Sequence, residues 1–479
     1  DAVAQLASRG VISGYPDGSF RGTPPATRYE MASIIARALA GVDLDKASKQ
    51  DVEMMRRLIV EFKDELDSLG VRVDELDERV AILETDIGGW SMSGEFRFDA
   101  KFGTDDSNYY SNKSGKNEFD LNRYRLWIRK RINDTTSFMA RLGSSGNVNR
   151  NVVWDYYELT TKLPFDVGVT IGFSNFDWEG GLGLYTNNDA TFGDIDANMF
   201  RFKKDWGLAN LELVIARQNG NDSIGQSVLA NPNVNVPDAL ENFLIAGLAN
   251  FEINERVRGG LMLYYWMTDA EVRFTRTTES DTDLLTLGAF FGFKFTPDIE
   301  LKGVYYHQEL GDSWRTSLRN SDDTASAWKV ILDVNQEALK FTSAWLEYAN
   351  IDNNFAKQTS PTYRAILLGG ADLLAGKPFN ENTTKVYGIT ARQQWNDKWR
   401  TFLHYYVADY DTASLDDATN WALGVAYRLN PAVEFELVYD NIDYGDTVTR
   451  DGGGVALHNN GNGFVGDDHI IRLRTFVTF

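Results

Sequence analysis

From about residue 90 to residue 479 the chain alternates charged and apolar side chains one for one, segment after segment. In 93–102, Glu95, Arg97, Asp99 and Lys101 interleave with Phe96, Phe98, Ala100 and Phe102. In 121–132, Arg123, Arg125, Arg129 and Arg131 oppose Tyr124, Leu126, Ile128 and Ile132. In 432–440, Glu434, Glu436 and Asp440 oppose Val433, Phe435, Leu437 and Tyr439. A period of two puts the two chemistries on opposite faces of a β-strand. Short turns join these segments in pairs, at Asn133-Asp134, Leu163-Pro164, Asp205-Trp206-Gly207, Asn254-Glu255, Pro297-Asp298, Asn335-Gln336, Asn396-Asp397 and Asn430-Pro431. Longer polar stretches, such as 268–282, 350–383 and 443–468, lie between the pairs. One set of short connections and one of long ones is the pattern of a transmembrane antiparallel β-barrel. Eight short turns predict 18 strands with both ends of the sheet on the short-turn side, or 16 if one pair is misread.

A soluble barrel turns its apolar face inward, but a barrel of this size is too wide for side chains to fill. Its charged face must line a wet lumen and its apolar face must meet lipid. Trp206, Trp395, Trp399 and Tyr427 stand beside short turns, where an interfacial aromatic girdle belongs. No run of about 18 apolar residues provides a transmembrane helix. The chain has no cysteine, which removes disulfides, thiolate metal sites and a cysteine nucleophile. Its formal net charge of −21 argues against nucleic acid as a partner. The final stretch, 471–479, alternates and stops on Phe479, which resembles the C-terminal signal recognised in outer-membrane barrel insertion.

A second periodicity precedes the first. Val52, Met55, Ile59, Phe62, Leu66, Leu69, Val73, Leu76, Val80, Leu83 and Ile87 follow one another at alternating gaps of three and four. That is a heptad seam, narrower than the stripe of a helix packed on a globular core. Asp51 with Arg56, Arg72 with Asp77 and Arg79 with Glu84 match by sign at the positions that choose coiled-coil partners. The seam predicts an oligomeric rod of roughly 54 Å, interrupted in propensity only at Gly70. Its core residues lean toward a dimer and leave a trimer open.

The first residues carry Gly14-Tyr15-Pro16-Asp17-Gly18-Ser19-Phe20 and then Thr27-Arg28-Tyr29-Glu30. Pro16-Asp17-Gly18 is a tight turn, and Thr27 with Glu30 forms a capping box ahead of Met31, Ile34, Ile35 and Leu39. Together the two motifs resemble the S-layer homology (SLH) domain, with Tyr29 where that family mostly has alanine. The domain's usual start is absent, so the expectation is a chain that begins inside it. The resemblance implies binding to peptidoglycan or a linked cell-wall polymer, with Tyr15, Asp17, Gly18 and Arg28 as candidate contacts. Residues 1–45 are then the wall-binding module, 46–88 the coiled-coil stalk and 89–479 the barrel. That order resembles the OmpM-type tethering porins of diderm Firmicutes and their relatives. It implies a homotrimer in outer-membrane lipid, with stalk and wall-binding module in the periplasm.

Inward positions on the first strands and the last one include Arg97, Lys101, Arg123, Arg125, Arg129, Arg131, Arg141, Arg472 and Arg474. They predict a basic wall. The long segment after the fifth strand, 174–196, holds Asp177, Glu179, Asp189, Asp194 and Asp196 beside Gly180-Gly181-Leu182-Gly183. It is similar to the pore loop of general porins, which implies an acidic constriction facing the basic wall, and such a transverse field favours small hydrophilic solutes. A barrel hydrolase is the rival class, but His307, His404, His458 and His469 sit in no nucleophile motif. Asp409-Tyr410-Asp411 with Asp416-Asp417 lacks the glycine of a calcium loop, so neither metal nor cofactor is expected. A purely structural tether is the third reading.

Overall fold

The computed structural model describes residues 90–103, 117–145, 153–186, 190–218, 242–268, 283–311, 323–352, 383–411, 416–443 and 468–479, with Met31 and Phe355. Tyr15, Asp17, Gly18, Arg28, the heptad seam and Asp189 lie outside the described residues. By internal contacts the chain divides into two units, residues 1–91 with 129–132, and residues 92–128 with 133–479.

The described residues form strands almost throughout. The first six are β1 (Trp90–Gly103), β2 (Asn117–Arg131), β3 (Ser137–Ser145), β4 (Val153–Leu163), β5 (Val167–Asp177) and β6 (Asp194–Asp205). Then come β7 (Ala209–Gln218), β8 (Asn242–Glu252), β9 (Val257–Thr268), β10 (Leu284–Thr296), β11 (Ile299–Leu310) and β12 (Thr324–Val334). The last six are β13 (Ser343–Asp352), β14 (Thr383–Gln394), β15 (Trp399–Asp409), β16 (Ala418–Asn430), β17 (Val433–Asp443) and β18 (Asp468–Thr478). Among the described residues two short helices, α1 (Trp178–Leu182) and α2 (Gln336–Leu339), sit in connections. The sheet has 18 strands, the larger of the two counts that the turns allow. Each strand pairs with its chain neighbours, and β1 pairs with β18 from Glu95↔Thr478 to Gly103↔Ile470, so the sheet closes. Closure removes the free edges that a bilayer would leave without hydrogen-bond partners.

The predicted short turns all lie between consecutive strands on one side of the barrel. A recurring device shapes them. Asn133, Asn254, Asn396 and Asn430 each accept, through Oδ1, the backbone N–H two residues on at 2.9 Å. Asp205 does the same for Gly207 at 2.7 Å. A short side-chain acceptor mimics the turn's own carbonyl and reverses the chain in few residues.

The two faces separate as the alternation requires. Phe96, Phe98, Leu213, Phe291, Leu346, Leu423, Leu437 and Leu473 are exposed on the outside, while Asp99, Lys302, Lys329, Glu347, Asp440 and Arg472 are buried on the inside. On the short-turn side the outer face carries exposed Trp206, Trp395 and Trp399, with Trp399 packed on Tyr427 at 4.6 Å and Trp395 on Phe341 at 6.0 Å. Toward the long connections stand Trp328, Tyr348 and Tyr387, then Trp421 and Tyr439, in contacts of 5.0–5.3 Å. An apolar belt between two aromatic girdles is what a bilayer demands of a barrel's outside.

The inner wall uses glycine to seat rings. Gly260↔Phe290, Gly288↔Tyr306, Gly388↔Tyr406 and Gly424↔Phe402 are direct cross-strand partners. A Cβ on Gly388 would stand 2.1 Å from the Tyr406 ring, and one on Gly424 2.2 Å from the Phe402 ring. The aromatic therefore lies flat along the wall over its neighbour's backbone.

Candidate functional site in the barrel lumen

The connection after β5 turns into the barrel instead of outward. Asp177 caps α1, its Oδ1 accepting from Gly180 N at 2.9 Å, and Gly183 ends the helix with φ +66. A left-handed residue at that point favours glycine. Phe176, Trp178, Leu184 and Phe192 are then buried against the inner faces of distant strands. Trp178 packs on Tyr264 of β9 at 5.1 Å, and Phe192 packs on Tyr264 at 5.0 Å, Tyr306 of β11 at 5.7 Å and Phe355 at 5.8 Å. Trp178 Nε1 donates to Glu212 of β7 at 3.0 Å. The connection thus joins one apolar cluster that runs along the sheet from β5 to β18.

At its centre sits Glu179, wholly buried. Its Oε1 accepts from Tyr306 Oη and from Phe192 N, both at 2.9 Å, and its Oε2 accepts from Thr191 N at 3.1 Å. Lys329 Nζ of β12, also wholly buried, lies 2.8 Å from Oε2. A carboxylate is tolerated in an apolar cluster when it is paired and its lone pairs are filled.

From β14 round to β4 the wall also carries a dense set of charged groups, set among the apolar residues that β14–β18 give the cluster. Arg474 grips Asp99 through two bonds of 2.6 and 2.7 Å. Arg472 pairs with Glu436 and Arg141 with Asp155, both at 2.5 Å, and Arg400 with Glu434 at 2.9 Å. Arg97, Arg123 and Arg125 surround Glu95 at 3.5–3.9 Å. Lys101 is buried opposite Arg472. The structure therefore brings seven of the nine sequence-derived bases to one wall, whereas Arg129 and Arg131, exposed at the end of β2, belong to the first unit.

The sequence-derived acids divide differently. Asp177 and Glu179 lie in the inward connection, Asp177 also accepting from Tyr185 Oη. Asp194 and Asp196 alternate along β6 with buried Ile195 and Ala197; both accept from Asn175 Nδ2, and Asp196 also accepts from Tyr156 Oη at 2.6 Å, the ring of which lies under Arg141. Sequence reasoning missed Lys329, Tyr306 and Glu212, the groups that fasten the connection. A usable signal was present: β8, β9 and β10 read FLIAGLA, LMLYYWM and LLTLGAFFGF, apolar on both faces. Such strands are covered on both sides, here by lipid and by the inward connection.

Outside the wall, Asp417, just ahead of β16, has its carboxyl pushed above the usual range by burial and by the nearby Asp409 and Asp416. Among the described residues no group of three His, Asp or Glu is placed to hold a metal.

A closed antiparallel sheet, apolar outside between aromatic girdles and charged within, is a membrane-spanning β-barrel, here with a connection folded into its lumen. The S-layer homology domain model matches residues 1–32, so the chain joins that barrel to an SLH domain. Two relatives are "Outer membrane protein SlpA" of Deinococcus radiodurans, 47% identical over 81 residues, and of Thermus thermophilus, 36% identical over 95. These matches cover 16% and 18% of this chain and only 7% and 10% of the relatives' length. An uncharacterized protein of Nostoc sp. is 34% identical over 148 residues, 29% of this chain and 24% of that one. Among solved structures the chain is similar to Pseudomonas aeruginosa OccK11, at 10% identity and a TM-score of 0.49, with 81% of this chain and 96% of that one covered. It is similar also to OccK3 of the same organism, at 8% identity and 0.48, with 81% and 95% covered.

Proposed function

We propose that this chain is an outer-membrane porin that passes small hydrophilic solutes and fastens its membrane to the cell wall. The observation that carries the channel reading is the closed sheet of 18 strands, too wide for side chains to fill, whose inner face from β14 round to β4 carries a dense set of charged groups such as Arg472 with Glu436 and Arg474 with Asp99. The SLH match and the outer-membrane relatives support the location and the tether. In this reading residues 1–45 bind peptidoglycan or a linked polymer through Tyr15, Asp17, Gly18 and Arg28, residues 46–88 join three chains in one stalk, and residues 89–479 form the barrel. Arg97, Lys101, Arg123, Arg125, Arg141, Arg472 and Arg474 supply the basic side of the passage. The apolar cluster around the connection after β5 gives a second reading its footing: a tether with little conduction. Planar-bilayer recording separates the two. Stable ohmic steps from purified full-length protein are expected, and a silent bilayer would leave the tether alone.

A further inference from the structure

The wall where β1 and β2 meet holds an uneven account of charge. Arg141, Arg472 and Arg474 each hold a carboxylate at 2.5–2.7 Å. Three further guanidiniums share one carboxylate: Glu95 Oε1 is 3.5 Å from Arg125 Nη1 and 3.6 Å from Arg123 Nη1, and Oε2 is 3.9 Å from Arg97 Nη2. Those separations are Coulombic contacts, longer than hydrogen bonds. Asp155 lies 4.0 Å from Arg125 but is held by Arg141. The Nε atoms of Arg123 and Arg125 and the Oε1 of Glu95 are buried without hydrogen-bond partners. Arg97 is steadied over the Phe476 ring at 5.2 Å. The three side chains remain 19–26% exposed, within reach of the lumen.

Three cations around one anion leave a local excess of two positive charges, in a chain whose total is −21. Guanidinium forks match the planar or tetrahedral oxygens of carboxylates and phosphates. Partial burial lowers the effective dielectric and lengthens the reach of that charge.

We infer that Arg97, Arg123 and Arg125, held around Glu95, form a subsite for a small doubly charged oxyanion, a dicarboxylate or a phosphate. The inference rests on the porin reading for the ligand's route, through the lumen. Glu95 acts as the resident counter-charge that keeps the three guanidiniums together when the site is empty and competes with the ligand when it arrives. The excess of two positive charges selects dianions over monoanions.

Calorimetry on full-length protein in neutral detergent at low ionic strength tests this, with succinate, inorganic phosphate and acetate as probes. Saturable binding of succinate or phosphate is expected, with acetate weaker, and which of the two binds identifies the oxyanion. Joint R123Q and R125Q is expected to weaken binding ~tenfold or more. E95Q is expected to tighten it several-fold, a sign that a purely structural ion cluster does not produce. R123K with R125K keeps the charge and loses the forks, so it falls between. Unchanged heat-modifiable migration on gels shows that each variant has folded. Absent binding, or binding indifferent to R123Q/R125Q and E95Q, overturns the subsite. Because calorimetry needs no current, a conducting barrel without binding defeats only the subsite, and binding without conduction defeats only the porin reading.

Discussion

Glu179 shows how one side chain can decide whether a connection is a flap or a fixture. It meets two backbone N–H groups, a tyrosine hydroxyl and a lysine, with no exposure to solvent. Breaking a buried pair on one side strands a charge, at a cost of about 3–5 kcal/mol. Lys329→Met should therefore lower the thermal midpoint of the detergent-solubilised protein. It should also make single-channel current noisier, as the connection after β5 loosens. Combining it with Glu179→Gln should restore much of the loss, since Gln can still accept from Tyr306 while nothing charged remains unpaired. Strictly additive losses in the double variant would contradict the pairing.

Each strand is a compromise between two solvents, and position along the strand sets the terms. On β16, Leu423 is exposed between the girdle residues Trp421 and Tyr427, while Leu429 is exposed at the short-turn end. Arginine at the bilayer midplane costs ~2–4 kcal/mol and near the interface ~0–1. Leu423→Arg should thus reduce stability far more than Leu429→Arg in urea titrations of vesicle-inserted protein; equal effects would argue against the belt. These strands were legible in the sequence because lipid and water imposed opposite demands on alternate residues. The turns were legible because Asn133, Asn254, Asn396 and Asn430 are residues whose side chains make turns. The fastening of the inward connection was not. Tyr306 lies 127 residues from Glu179, and in the sequence an inward lysine such as Lys329 looks the same whether it meets water or a buried carboxylate. That Asp194 and Asp196 belong to a strand, β6, and not to the inward connection was concealed by the segment's loop-like composition.

At the scale of the molecule, wall attachment and conduction are proposed for separate parts of the chain, and they should come apart. Deleting residues 1–45 should abolish sedimentation with isolated peptidoglycan and leave bilayer conductance unchanged. Retained sedimentation would place the tether elsewhere. Chemical cross-linking of full-length protein should give a trimer; a monomer alone would contradict the stalk. Three stalks presenting three SLH domains would also raise avidity without any new contact. The seam between β1 and β18 has a consequence in time. Every other pairing joins strands adjacent in the chain and can form as a hairpin, whereas Asp99 meets Arg474 across 375 positions. Bringing such distant ends together costs only about 5 kcal/mol of chain entropy. The hazard lies in the waiting. Until β18 arrives, two long sheet edges stand open, ready to pair with any other chain. A chain cut short before that strand is a sticky ribbon rather than a smaller barrel, and its escape from aggregation depends on how quickly its last strand reaches its first.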